Sequence, residues 1–496
     1  MRVLIFHGYL LRGTGSNIYN TNLCRALASL GHEVHILCQE RRPQGVGLPE
    51  GVVVHNPDIG HTLPVYVADE YEGFEAVPFP ELDDEAIERY VEANVGAVAE
   101  VVDDFRPQVA LANHLIMGPA ILARALGGKV PYAVKVHGSA LEYTVRPHRE
   151  RFLPYAREGL AGASSVLVGS RHTAESLWEV MDDPGLPSRT RLGPPGVDVA
   201  RFRPRPPAEA RAGLEALADR LEGGEAAGWG GEAGAARALR TLEPSREPIV
   251  SYVGKLIVSK GVDLLLAAWP LVIERVPDAR LCVVGFGTYR DALHAMVRAL
   301  AQGDLAALRE IARRGRELEG GPPGELSFLA AFLDGMDEAR RRSYARAGAE
   351  AAGRIAFTGR LEHDDLPLLL CACRAQVVPS TFPEAFGMVA AEAAGCGALP
   401  LSASHSGLAE VSAVLAEALA PELRALLSFD RGPGAVEEIA DKLVRWLSLP
   451  EQQRARASGA LAQAAQERFG WETVAEGVIA AARGELEVLL GPAAIE

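Results

Sequence analysis

Residues 379–393 read Pro379-Ser380-Thr381-Phe382-Pro383-Glu384-Ala385-Phe386-Gly387-Met388-Val389-Ala390-Ala391-Glu392-Ala393. The apolar run 375–378 just before them predicts a buried strand, and the small-residue run 389–394 predicts a helix. Pro383 and Gly387 interrupt regular structure between the two. A strand-loop-helix unit aims unpaired backbone N–H groups and a positive helix end at one spot, which favours phosphate. Glu384 and Glu392 are 392 − 384 = 8 positions apart. At a rise of about 1.5 Å per helical residue, that is up to roughly 12 Å. The spacing suits two contacts on one extended ligand, such as a nucleotide carrying a sugar on its diphosphate. It is too wide for a carboxylate pair gripping a single glycosidic bond.

An isolated loop glutamate is most often a solvated side chain. Here Glu384-Ala385-Phe386-Gly387 through Glu392 resembles the E-x7-E signature of retaining GT-B glycosyltransferases, in particular the large family 4 of that class. With the matches below, the resemblance covers nearly the whole chain apart from two insertions.

The 496 residues allow about three units of ~150 residues, or two large domains with insertions. A hydrophobic content of 48% is enough for real cores and excludes a disordered chain. The net charge of −15 argues against nonspecific nucleic-acid binding, while leaving room for a local basic pocket. The apolar run at residues 1–7 is too short for a signal peptide and predicts a first strand. No stretch approaches the ~18 apolar residues that span a bilayer. The six cysteines show no zinc-like pairing, which points to a reducing cytoplasm.

In the first half, a strand at 3–6, a loop at 8–15, a helix at 17–30 and a strand at 33–38 form a βαβ unit. Gly13-Thr14-Gly15 is a weak dinucleotide fingerprint. The resembled family carries a double glycine there, followed by a helix ending in Gly-His-Glu-Val. Gly31-His32-Glu33-Val34 is intact, but the first glycine of the pair is Thr14, leaving Gly15 to approach a phosphate. Residues 56–80 show no period and predict an irregular loop near an acceptor site. A long helix at 82–105 and strands at 108–112, 132–136 and 164–168 follow, with Ser170 as an N-cap. His137-Gly138 stands at the carboxyl end of a strand, where a buried structural histidine and a ligand contact are equally open readings. In the resembled family a histidine at this place contacts the donor sugar. Gly196-Val197-Asp198 resembles the segment that ends that family's first domain.

Residues 205–247 are rich in Ala, Gly, Glu and Arg, are interrupted by Gly223-Gly224 and Gly228-Trp229-Gly230-Gly231, and predict an insertion, part helix and part disordered. A strand at 249–253 then leads into Gly254-Lys255-Leu256-Ile257-Val258-Ser259-Lys260-Gly261 and a helix at 262–275. The family has Gly-Arg-Leu and then Lys-Gly here, both cations gripping the donor diphosphate. Lys260 keeps its place, whereas Lys255 replaces the arginine and loses its flat bidentate fork. After a strand at 279–284 and Gly285-Phe286-Gly287, residues 291–353 are inserted and predict a helical hairpin. Thr358-Gly359-Arg360-Leu361 resembles the family's turn facing the nucleotide base, with an acidic cap on the next helix. Ser406-Gly407-Leu408-Ala409-Glu410-Val411 matches a family motif with its first glycine replaced by Ser406. Helices at 436–447, 451–469 and 471–490 end the chain.

The pattern predicts two α/β, doubly wound domains. The resemblance implies the GT-B fold: two Rossmann-like domains facing across a cleft, with a helical insertion in the second. The expected boundaries are an acceptor-side domain at 1–200 with residues 471–496 packing back on it, a linker or insertion at 201–247, and a nucleotide-sugar domain at 248–470 containing the insertion 291–353. The implied activity is retaining, metal-independent transfer of a hexosyl group from a UDP- or GDP-linked sugar to an acceptor hydroxyl, with no cofactor. The implied catalytic residues are His137, Glu384 and Lys260. The implied donor contacts are Gly15, Lys255, Lys260, Arg360, Leu361, Glu384, Phe386, Gly387, Met388, Val389 and Glu392. Three other readings stay open: a nucleotide-sugar-binding protein without transfer, an epimerase or phosphorylase on the same fold, and a structural protein assembling through its insertion. Peripheral membrane contact and a homodimer through the insertion stay open as well.

Overall fold

The structure, a computed structural model, describes residues 1–66, 71, 73–222, 232 and 234–492. The chain divides into two compact units, Met1–Gly196 with Phe469–Glu496, and Val197–Arg468.

The first unit is built on a parallel sheet of seven strands: β1 (Arg2–Phe6), β2 (Glu33–Leu37), β3 (Val52–His55), β6 (Val109–Asn113), β7 (Tyr132–Val136), β8 (Ser165–Val168) and β9 (Thr190–Leu192). Their order is β3-β2-β1-β6-β7-β8-β9. Alternation along β1 explains why both faces are covered. Val3 and Ile5 enter one apolar core, and Leu4 and Phe6 enter the other. The helix Trp471–Arg483 closes the first of these cores beside the helix Gly15–Ser29. It stops at Arg483 rather than at 490, because Gly484 takes a left-handed conformation at its end. The segment 56–80, expected to be irregular, contains two short strands, β4 (Thr62–Val65) and β5 (Glu75–Pro78), paired in parallel. Nothing local announced them: the pairing joins segments ten or more residues apart, so neither shows a hairpin signal.

The second unit has six parallel strands: β10 (Ile249–Val253), β11 (Arg280–Val284), β12 (Ile355–Gly359), β13 (Ala375–Val378), β14 (Leu399–Ala403) and β15 (Ser428–Phe429). Their order is β12-β11-β10-β13-β14-β15, so the direction of winding reverses between β10 and β13. In the helix Val262–Ile273 every residue except Leu271 is buried. A helix that is apolar all round must be covered on every side, and the segment inserted after β11 supplies part of that cover. The insertion is not a simple hairpin. It runs through four helices, Arg290–Gln302, Leu305–Arg314, Ser327–Asp334 and Glu338–Ala352. Tyr344 from the last of them is buried and donates its hydroxyl to the Ala267 carbonyl at 2.8 Å. Of the segment 205–247, helices Pro207–Glu222 and Ala235–Arg240 are seen, and both glycine interruptions lie outside the described residues. The acidic cap expected after β12 is absent in that form. Asp365 precedes the helix Leu366–Leu370 but makes no side-chain cap bond, and its carboxylate pairs with Arg220 instead.

Candidate active site

In the second unit, β10 and β13 are hydrogen-bonded neighbours, so the loops leaving their carboxyl ends emerge side by side where the strand order reverses. Open α/β sheets bind ligands at this place. The loop 254–261 carries Lys255 and Lys260, and the loop 379–387 carries Glu384. The Thr381 N–H donates to the Ser259 carbonyl at 2.9 Å and ties the loops together. Gly261 has φ +64°, and a Cβ there would lie 2.0 Å from the Pro379 carbonyl oxygen. Only glycine allows so close an approach. The approach delivers Lys260, whose ammonium contacts Glu384 Oε1.

Glu384 is held from several sides. Ser380 Oγ donates to the same carboxylate oxygen at 2.6 Å. The Glu384 N–H donates to Ser406 Oγ at 2.9 Å, and its carbonyl accepts from the Gly407 N–H at 3.0 Å. His405 Nε2 lies 2.7 Å from the Ser380 carbonyl. Burial alone would raise the pKa of Glu384. The charge and hydrogen bond of Lys260, the Ser380 hydroxyl and His405 outweigh burial and hold the carboxyl below its usual range. The carboxyl of Glu384 is therefore held in its ionised form.

The helix Met388–Gly395 begins immediately after Gly387. Its first N–H groups have no partner within the helix, and this helix start follows Phe386 and Gly387 directly in the loop that holds Glu384. Glu392, one turn further, is buried and 2.6 Å from His363 Nε2. Burial opposes the charge on His363, but Glu392 outweighs it and the imidazole pKa is raised. Lys255 is exposed, and its carbonyl accepts from the Tyr252 hydroxyl at 2.8 Å. After β12, Leu361 is buried, and the Arg360 guanidinium lies 6.0 Å from the Phe286 ring centroid while pairing with Glu362.

The second unit thus gathers Lys260 and Glu384, with Phe386 to Glu392 continuing the loop that holds Glu384. Gly15 and His137 belong to the first unit. Gly15 opens the helix Gly15–Ser29 with Thr14 as its N-cap. Thr14, at φ −104° and ψ 162°, takes an extended conformation that needs no glycine. His137 follows the last residue of β7 and is half-buried. Burial, then the neighbouring His114, Lys135 and His7, push its pKa well below the ordinary value and keep it neutral. Asn113 Nδ2 donates to the Phe6 carbonyl and to Asn20 Oδ1, which makes Asn113 Oδ1 an acceptor. His137 Nε2, 2.8 Å from that oxygen, therefore carries the proton, and Nδ1 is left as an acceptor.

Sequence reasoning missed His363, Ser380 and His405 as partners of the glutamates, and Asn20 and Asn113 as orienters of His137. The signal for the asparagines was present: Asn17, Asn20 and Asn22 all stand on the buried side of an early helix, where polar groups need partners. Among the described residues, no group of three or more His, Cys, Asp or Glu could hold a metal ion, and no helix is long and apolar enough to cross a membrane.

Three family matches fall on this geometry. Residues 14–184 match the glycosyl transferase 4-like domain, and residues 247–312 and 334–462 match glycosyl transferases group 1. The chain is 26% identical to a D-inositol 3-phosphate glycosyltransferase of Frankia alni, over 97% of this chain and 96% of that one. Its fold is similar to the sucrose-phosphate synthase tll1590 of Thermosynechococcus elongatus, with a TM-score of 0.57, 20% identity, and coverage of 98% of this chain and 99% of that one. It is also similar to Anabaena HepE in complex with UDP-glucose, with a TM-score of 0.56, 16% identity, and coverage of 99% and 100%.

Proposed function

The chain belongs to the group 1 glycosyltransferases of GT-B fold, and we propose that it moves a hexosyl group from a UDP- or GDP-linked sugar to an acceptor hydroxyl, with retention at the anomeric carbon as in family 4. The observation that carries this reading is the Lys260–Glu384 pair, fixed across the reversal point of the second unit's sheet beside the start of the helix Met388–Gly395.

In this reading the bond between the anomeric carbon and the β-phosphate oxygen breaks, and the acceptor oxygen bonds to that carbon from the same face. The acceptor's proton passes to the departing phosphate. Charge grows on the diphosphate, and Lys255, Lys260 and the N–H groups around residues 386–389 stabilise it, in place of a metal and with no further cofactor. Glu384 accepts from a donor-sugar hydroxyl through its second oxygen, and His137 Nδ1 accepts from another. Gly15 offers its open backbone to a phosphate. Arg360 and Leu361 lie against the base, and Glu392 accepts from the ribose hydroxyls. The six cysteines are all free, which suits the reducing compartment this reading expects.

The test is a thermal-shift comparison of UDP, GDP and ADP, followed by turnover of the matching sugar donors and NMR of the product's anomeric carbon. A shift with UDP or GDP and a product of unchanged configuration is expected. No binding of any nucleoside diphosphate, or an inverted product, would overturn the reading.

A further inference from the structure

We infer that Glu319, at the tip of the segment inserted after β11, is a positioning residue for the donor-diphosphate loop, so that the insertion completes the nucleotide-sugar site. The inference rests on the reading of the loop 254–261 proposed above.

The tip is built for one placement. The helix Leu305–Arg314 ends at Gly315, which has φ +46° and would place a Cβ 1.9 Å from the Gly324 carbonyl oxygen. No other residue fits there. The Arg316 N–H donates to that Gly324 carbonyl at 3.0 Å, and the Gly321 N–H donates to the Arg316 carbonyl at 2.9 Å. The short turn Arg316–Glu319 is closed by these bonds and aims Glu319 inward, leaving its side chain 13% exposed while Arg316 stays at 55%. Glu319 Oε2 accepts from the Val258 N–H at 2.7 Å, across 61 positions of sequence.

Val258 is the first residue of the turn Val258–Lys260. An N–H at that position has no partner within its own turn and needs a cap. A side chain just before the turn usually provides one. Ile257 stands there and has no hydrogen-bonding side chain. The insertion provides the cap instead, and the turn it fixes ends in Lys260. The backbone that carries the cation toward Glu384 is therefore held at one end by Gly261 against Pro379 and at the other by Glu319. A carboxylate receiving a backbone N–H in a mostly buried place is a strong, directional contact. The insertion also covers the apolar helix Val262–Ile273 that follows this turn, so cover and cap arrive in one piece.

The experiment measures nucleoside-diphosphate and plain nucleoside affinity by calorimetry, and donor KM and kcat, for wild type, Lys260→Ala, Glu319→Gln, Glu319→Ala and Val258→Pro. Val258→Pro removes the donor without touching Glu319. Proline suits the first position of a turn, and Ile257 is already extended as a residue before proline must be. Glu319→Ala and Val258→Pro are each expected to weaken diphosphate binding and raise donor KM by about tenfold, with nucleoside binding unchanged and Glu319→Gln near wild type. If Glu319→Ala does not fold, Val258→Pro decides alone. Diphosphate affinity within about twofold of wild type in Val258→Pro, while Lys260→Ala loses it, overturns this inference and leaves the proposed function standing. Wild type that binds no nucleoside diphosphate overturns the proposed function first.

Discussion

Replacing Lys260 by alanine separates catalysis from architecture. The lysine and glutamate side chains are 29% and 23% exposed, so their pair is neither a surface pair nor a fully buried one. Breaking a buried pair costs about 3–5 kcal/mol and a surface pair about 1 kcal/mol or less. The intermediate exposure, with Ser380 still donating to Glu384 at 2.6 Å, sets the stability loss at about 1–3 kcal/mol. Removing one preorganised charge donor from the developing diphosphate costs about 10²–10³-fold in turnover. Activity should therefore fall far more than a melt of a few degrees explains, and Lys260→Arg should restore most of the stability. The pH dependence gives an independent check. The folded pKa of Glu384 is depressed below its unfolded value, so the pair's stabilisation is present above about pH 4.3 and is lost as pH falls through the folded value. In Lys260→Ala burial is no longer opposed by the cation. The gap in melting temperature between wild type and variant should accordingly narrow on acidification. Turnover within about threefold of wild type would refute the diphosphate role. A melting gap that does not change between pH 7 and pH 3 would refute the electrostatic account of Glu384.

Glu392→Gln should weaken nucleoside-diphosphate binding by about tenfold in calorimetry; unchanged affinity would remove Glu392 from the ribose. Because Glu392 raises the folded pKa of His363, the pair's stabilisation is fully present below about pH 6.5 and lost as pH rises through the folded value, so the melting gap to Glu392→Gln should shrink between pH 6 and 9. Asp263 is buried with Oδ1 unpartnered among the described residues, and burial together with Glu319 pushes its pKa up to about 7. Against an unfolded value near 4, roughly three pKa units at ~1.4 kcal/mol each give an upper bound of about 4 kcal/mol. Asp263→Asn should be neutral below about pH 4, gain stability between pH 4 and 7 and level off above, as read by denaturant melts. Ser406→Ala should cost about 1–2 kcal/mol in the same melts, since it keeps the left-handed backbone and loses the hydroxyl bound by the Glu384 N–H, whereas Ser406→Gly should stay near wild type.

The doubly wound pattern was legible because both sheets are parallel and covered on both faces. Such strands appear as short apolar runs between helical stretches, and β1, β7, β10 and β13 all read that way. The loop residues at strand ends were legible for the same reason, since the carboxyl edge of such a sheet is where chemistry collects. What stayed hidden depends on contacts between distant segments. The pairing of β4 with β5 has no turn signature. The partnership of Glu392 with His363 joins residues 29 positions apart, and that of Glu319 with Val258 joins residues 61 apart. An acidic cap is expected on the helix after β12, but at that position Asp365 makes no cap bond, and Arg220 takes its carboxylate away. Local preference gave way there to a tertiary ion pair.

The departures from the family's motif residues follow a physical rule: where a glycine is lost, what replaces it makes a bond. Thr14 is the N-cap of the helix Gly15–Ser29, extended at φ −104°, with its Oγ1 3.4 Å from Ser16 Oγ. Ser406 is the harder case, with φ +51° where glycine would be at ease. That conformation costs a side-chain residue about 1–2 kcal/mol. Its hydroxyl recovers much of this by accepting from the Glu384 N–H at 2.9 Å, a bond that glycine has no side chain to make. The substitution therefore exchanges backbone ease for a firmer hold on the carboxylate that faces Lys260. If that exchange matters, Ser406→Gly keeps its stability yet loosens Glu384, and donor KM should rise while the melt stays unchanged. A KM equal to wild type would mean that Ser380, His405 and Lys260 already fix Glu384 without the hydroxyl, and that Ser406 is merely tolerated.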